Sequence, residues 1–124
     1  MHLRGVRVLV IEDAIDVREA FAALLVAEGA EVAVVGAGRE ALALLTPGRF
    51  DVVLTDLGLN DIPGDELIRE LRARGRAPVV AITGLSEPYL TRAREAGADI
   101  IFVKPVEWDD VLGYLRRLVL TPAA

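Results

Sequence analysis

The chain has 124 residues, 53% of them hydrophobic, no cysteine and a net charge of −5 at pH 7. That length suits one domain with its own core, and the lack of thiols excludes disulfides and thiolate metal sites, which fits a reducing, cytoplasmic setting. The acidic balance argues against direct nucleic-acid binding, and the apolar stretch after Met1 is too short to cross a bilayer, so no membrane association is expected.

Five short β-branched runs alternate with five segments of helical period. The first run, VRVLVIE at 6–12, is nearly continuous in its hydrophobicity, as a parallel strand covered on both faces requires. It is followed by Val17, Ala20, Phe21, Leu24 and Leu25, spaced as one apolar stripe of a helix. A second strand at 30–35 leads through Gly36 to a helix carrying Ala41, Leu42, Leu44 and Leu45. A third, DVVLT at 51–55, is followed by Leu67, Ile68 and Leu71. The fourth, at 78–83, precedes a thinner helix from an N-cap at Ser86 to Ala96, with Pro88 tolerable in the first turn. The fifth, at 99–103, leads to a helix over 107–120 that Gly113 weakens locally. Gly29, Gly75 and Gly97 stand where a left-handed residue closes a helix. Strict alternation implies an open, doubly wound α/β sheet, too short to close an eight-stranded barrel.

In such a sheet the ligand site lies beyond the carboxyl ends of the strands, where the winding reverses. Glu12 and Asp13 follow the first strand, Asp56 the third, Thr83 ends the fourth and Lys104 follows the fifth. Three neighbouring carboxylates repel one another unless a cation sits among them. Hard oxygen ligands on a shallow surface suit Mg2+, with a phosphoryl oxygen completing its shell. One carboxylate is then free to attack phosphorus, while a lysine and a hydroxyl donate to the equatorial oxygens. Taken singly, an acidic pair caps a helix, a lone Asp caps a loop and a lone Lys lies on the surface; only their joint placement at four strand ends points to phosphoryl transfer.

These residues resemble the receiver domain of two-component response regulators over about 6–120: the pair Glu12–Asp13, LTDLGL around Asp56, ITG with Thr83, and GADIIFVKP with Lys104–Pro105. The resemblance implies a flavodoxin-like (βα)5 fold with strand order 2-1-3-4-5 and helices on both faces. It also implies Asp56 as phosphoacceptor, and Mg2+ (or Mn2+) held by Asp13, Asp56 and the Gly58 carbonyl, with Glu12 acting through water. Thr83 and Lys104 become the phosphoryl-binding pair, and the bond before Pro105 becomes cis. The expected donor is a histidine kinase or histidine phosphotransfer protein, with the receiver catalysing its own phosphorylation and slow dephosphorylation. The expected organisation is a single receiver over 1–124 with no output domain following.

Three positions depart from the family pattern. Ile101 replaces the usual aromatic switch residue, and Phe102 should face the other way. Asn60–Asp61 replaces a proline-led turn and should loosen the loop after Asp56. Gly58 and Leu85, two residues beyond Asp56 and Thr83, cannot orient an attacking water by side chain.

Gly36, Gly38 and Ala41 also satisfy a dinucleotide fingerprint, with Asp56 at the right distance. Strand 2 is expected at the sheet edge, however, away from the reversal point, so these glycines read as a turn. A haloacid-dehalogenase-like phosphohydrolase would want a second acid where Gly58 stands, and a pseudo-receiver would lack site residues that are all present. His2 reads as a solvated terminal residue and Trp108 as an amphipathic surface anchor. Asp99, Arg92 and Arg116 are candidates for a homodimer face on the fourth helix, fifth strand and fifth helix.

Overall fold

A computed structural model describes residues 2–120. Five parallel strands, β1 (Arg7–Ile11), β2 (Glu31–Val35), β3 (Val52–Thr55), β4 (Val79–Thr83) and β5 (Ile100–Val103), form one sheet in the order β2-β1-β3-β4-β5. Helices α1 (Ile15–Ala27), α2 (Gly38–Leu44), α3 (Gly64–Arg74), α4 (Tyr89–Ala96) and α5 (Trp108–Leu120) make the crossovers. The winding reverses between β1 and β3, which pair in register from Val8↔Val52 to Ile11↔Thr55.

Alternation along the strands divides the core in two. Leu9, Ile11, Val53, Val79 and Ala81 pack with Leu67, Ile68 and Leu71 of α3 and Ala93 of α4 on one face. Val8, Val10, Val52, Leu54, Val80 and Ile82 pack with Leu25 of α1 and Val111, Leu112 and Leu115 of α5 on the other. Ile101 joins the first cluster and Phe102 the second, where its ring meets Tyr114 edge-on at 6.1 Å. The two residues therefore do face opposite ways, and no aromatic ring occupies the position of Ile101.

Several expectations from periodicity are corrected. On α1, Leu25 is fully buried but Leu24 is 41% exposed, and Ala20 is exposed as well. This helix is apolar on nearly every side, so its pattern cannot single out a buried face. Helix α4 begins at Tyr89 rather than beside Ser86, whose carbonyl accepts only a turn hydrogen bond from Tyr89 N at 3.0 Å. Glu87 caps the first turn instead, accepting from the Thr91 N–H at 2.7 Å and from its hydroxyl at 2.6 Å. Gly29 and Gly97 are left-handed at φ of 94° and 115°, but Gly75 is extended at −166°, so α3 ends by straightening instead of by a left-handed turn.

Trp108 lies half-buried with its ring 5.9 Å from Phe21, packed between α5 and α1 and not anchoring an open surface. Asp99 is also engaged within the chain: its Oδ2 accepts from Val79 N at 2.7 Å and from Arg72 at 3.1 Å. That pairing ties the start of β5 to β4 and α3, while the side chain stays about one-third exposed.

Candidate functional site

The sheet ladder runs one residue past the end of three strands. Glu12 N donates to Val35 O at 3.1 Å, Asp56 N to Ile11 O at 3.1 Å and Lys104 N to Thr83 O at 2.7 Å. Each backbone is thus fixed by its neighbouring strand while its side chain leaves the sheet edge. This explains why the apolar run of β3 delivers a carboxylate: Val52 to Thr55 fill the core, and Asp56 is the first residue beyond it that the ladder still holds.

Glu12, Asp13 and Asp56 each offer a carboxylate oxygen, and the three oxygens lie within 4.8 Å of one another. Lys104 Nζ approaches Glu12 Oε1 at 3.6 Å and Asp56 Oδ2 at 4.0 Å. Glu12 is nearly enclosed, with 3% of its surface exposed, and its Oε2 accepts from Asp13 N at 3.1 Å. Its carboxyl is pushed up to about 7, first by burial and then by the charge of Asp56, while Lys104 pulls the other way. The site therefore holds more negative charge than Lys104 offsets. Three convergent hard oxygens with this imbalance fit a divalent cation of the Mg2+ class.

Around this cluster, Gly58 N donates to Asp56 Oδ1 at 3.2 Å, which turns the loop back over the carboxylate. A Cβ at Gly58 would lie 3.9 Å from both Asp56 carboxylate oxygens and 4.0 Å from Leu85, so a longer side chain there would project across the approach to Asp56. Thr83 is fully buried at the end of β4, and its Oγ1 accepts from Leu85 N at 3.1 Å. The Lys104–Pro105 peptide is cis.

The loop after Asp56 is tethered, contrary to the expectation that Asn60–Asp61 loosens it. Both carboxylate oxygens of Asp61 accept from the start of α2, Oδ1 from Gly38 N at 3.0 Å and Oδ2 from Arg39 N at 2.9 Å. These amide donors hold the Asp61 carboxyl below its usual range, Arg39 N–H most strongly. They also close the dinucleotide reading, since the amides that would bind a pyrophosphate are already occupied and β2 lies at the sheet edge. Arg18 is a second residue that motif reasoning passed over. Its guanidinium donates to the Glu12 carbonyl at 3.2 Å, although by spacing it is simply a polar position on α1.

A family model described as the response regulator receiver domain matches residues 8–116. The chain is 35% identical over 113 residues to the sensory transduction protein RegX3 of Mycolicibacterium smegmatis, covering 90% of this chain and 50% of that protein. It is 38% identical over 102 residues to the response regulator receiver protein Anae109_2439 of Anaeromyxobacter sp., covering 81% and 43%. The chain thus spans about half the length of the curated relatives it matches. Among solved structures, it superposes with a TM-score of 0.85 and 28% identity on a CheY-like receiver domain protein from Methanospirillum hungatei, covering 93% and 94% of the two chains. The receiver domain of sensor histidine kinase PA1611 from Pseudomonas aeruginosa, crystallised with a magnesium ion coordinated in its active-site cleft, matches at a TM-score of 0.85 and 26% identity, covering 94% and 99%. With the reversal point of the sheet, the convergent carboxylates and these matches in agreement, the chain belongs to the response regulator receiver domain family of two-component signalling.

Proposed function

We propose that this receiver takes a phosphoryl group onto Asp56 from a phosphohistidine of a histidine kinase or histidine phosphotransfer protein. The observation that carries this reading is the convergence of Glu12, Asp13 and Asp56 within 4.8 Å beside Lys104. Asp13, Asp56 and the Gly58 carbonyl would hold Mg2+, or Mn2+ in its place, with Glu12 acting through water. The cation supplies charge neutralisation at the phosphoryl oxygens. An Asp56 oxygen attacks phosphorus in line with the leaving imidazole; the O–P bond forms as the P–N bond breaks, and the imidazole nitrogen takes up a proton from solvent. Lys104 moves from its carboxylate neighbours to a phosphoryl oxygen, and the Thr83 hydroxyl turns from Leu85 N toward another. Attack by water at phosphorus later releases inorganic phosphate and restores the carboxylate.

Acetyl phosphate tests this directly. With Mg2+, intact-mass measurement is expected to show a gain of one phosphoryl group; with excess chelator the gain disappears. No gain in either condition would favour a receiver that works by binding alone. Slow self-dephosphorylation follows from Gly58 and Leu85, neither of which has a side chain that can hydrogen-bond an incoming water. Gly58→Asn places an amide over Asp56, where it can orient an incoming water, and is expected to shorten the phosphoryl lifetime. An unchanged decay rate would remove that explanation.

The relatives include MtrA of Mycobacterium tuberculosis, a DNA-binding response regulator whose length this chain matches over 49%. By that likeness a DNA-binding output is one use of the signal in a longer protein, whereas the receiver itself reads and relays phosphorylation in the cytoplasm. With Ile101 in place of an aromatic switch, the readout at α4 and β5 differs from the usual coupling. In a homodimer through α4, β5 and α5, Asp99 would enter the interface already paired with Arg72 of its own chain.

A further inference from the structure

The two glycines that imitate a dinucleotide fingerprint both touch the loops of the candidate cation site. A Cβ at Gly36 would collide with the Arg18 guanidinium, the same group that donates to the Glu12 carbonyl at 3.2 Å. Gly36 therefore leaves room for a side chain that holds the β1–α1 loop, which carries Glu12 and Asp13. Two residues on, Gly38 N and Arg39 N grip Asp61 at 3.0 and 2.9 Å. A Cβ at Gly38 would collide with Ile62, which is 3% exposed, and would lie 3.3 Å from Leu67. The β3–α3 loop, which carries Asp56 and Gly58, is thereby seated on the same turn.

We infer that the turn at 36–39 is a positioning element that braces both cation-binding loops, through Arg18 on one side and Asp61 on the other. The inference rests on the proposed Mg2+ site but adds residues that never touch the ion. Two loops free to move apart must be ordered each time a cation binds, whereas braced loops present their oxygens already converged, so the brace acts on affinity. Arg18 works against this electrostatically, because its positive charge repels the cation. A variant that moves the guanidinium while keeping the charge is therefore the cleanest probe, and Gly36→Ala does that, since the obstructing atom is the far end of a flexible side chain.

Calorimetric titration of the unphosphorylated protein with Mg2+ at physiological ionic strength tests the idea, alongside melting of each variant in chelator. Gly36→Ala is expected to raise the Mg2+ dissociation constant about tenfold, in the range of outer-shell effects on metal sites, with the metal-free melting temperature unchanged. Arg18→Ala combined with Gly36→Ala should weaken binding no further than Arg18→Ala alone, because both remove the same contact. Arg18→Lys, which keeps a donor and the charge, should restore most of the affinity. Asp61→Asn is expected to weaken binding independently of Gly36→Ala, and more than Asp65→Asn, which removes the same charge from the first turn of α3. Wild-type protein that binds Mg2+ with an affinity matched by Gly36→Ala or by Asp61→Asn would overturn the brace. Wild-type protein that binds no Mg2+ would overturn the site reading on which it rests.

Discussion

Glu12→Gln is expected to make the metal-free protein more stable at pH 8, not less, although it deletes a residue of the site. Glu12 is almost wholly enclosed, and its carboxyl is pushed up to about 7 from an ordinary 4.5 by burial and by Asp56. Because the folded form holds this proton more tightly, the stability Glu12 contributes is fully present below about pH 4.5 and is lost as the pH rises through about 7. Above that range the folded state carries a buried carboxylate whose attraction to Lys104, at 3.6 Å and one-third exposed, does not offset its confinement. Gln keeps the shape and an acceptor for Asp13 N while removing the charge. The gain at pH 8 is expected to be on the order of 1–3 kcal/mol, from the linkage of about 1.4 kcal/mol per unit discounted for coupling to Asp56, and near zero at pH 4. Mg2+ should stabilise the wild type more as the pH rises from 5 to 8, and should stabilise the Gln variant less at every pH. Denaturant melts in chelator and in Mg2+ across that range measure this. A Gln variant less stable than wild type at pH 8 in chelator would mean that the Lys104 pair dominates.

Gly64→Ala should cost more than any other glycine change that keeps the backbone angles ordinary. Its Cβ would stand 2.8 Å from Leu57 O and 2.9 Å from Leu57 Cα and Cβ, atoms that cannot swing aside. Leu57 is 5% exposed and follows Asp56 directly, so the methyl group must push either the start of α3 off the sheet or the acceptor loop out of place. Overpacking of this kind costs about 1–3 kcal/mol, sometimes more, which lowers the melting temperature by about 4–12 °C for a chain of this size. Gly84→Ala is the control, since nothing lies within 4 Å of its Cβ, and it should melt as the wild type does. If the two variants melted alike, the close approach of α3 to Leu57 would not be a constraint on the fold.

The parts of this molecule legible in its sequence are those where one physical requirement fixes the residue type. A strand buried on both faces must be continuously apolar, so β1, β3 and β4 were visible, and so was the place where each run meets a polar residue. That was enough to bring Glu12, Asp13, Asp56, Thr83 and Lys104 to one edge. What stayed hidden depended on contacts between segments far apart in the chain. Leu24 and Leu25 are interchangeable to any periodicity measure on a helix apolar nearly all round, and only packing against the sheet separates them. Asp99 reads as a free surface acid until β5 sets it beside Val79 N and Arg72. Asp61 looks like a loop-softening residue because its donors, Gly38 N and Arg39 N, stand 23 and 22 residues earlier. Gly36 and Gly38 carried a true signal of close approach, but the thing approaching was the protein's own arginine and isoleucine and not a pyrophosphate.

Comparing Asp56→Asn with the wild type by intact mass, after acetyl phosphate and Mg2+, probes the acceptor itself. Asn keeps the size of the side chain and its place on the ladder but has no carboxylate to attack phosphorus. The wild type should gain one phosphoryl group and the variant none, with both proteins folded by circular dichroism. A variant that still takes up the group at the wild-type rate would mean that phosphorus is captured elsewhere and that the convergence at Asp56 serves some other end.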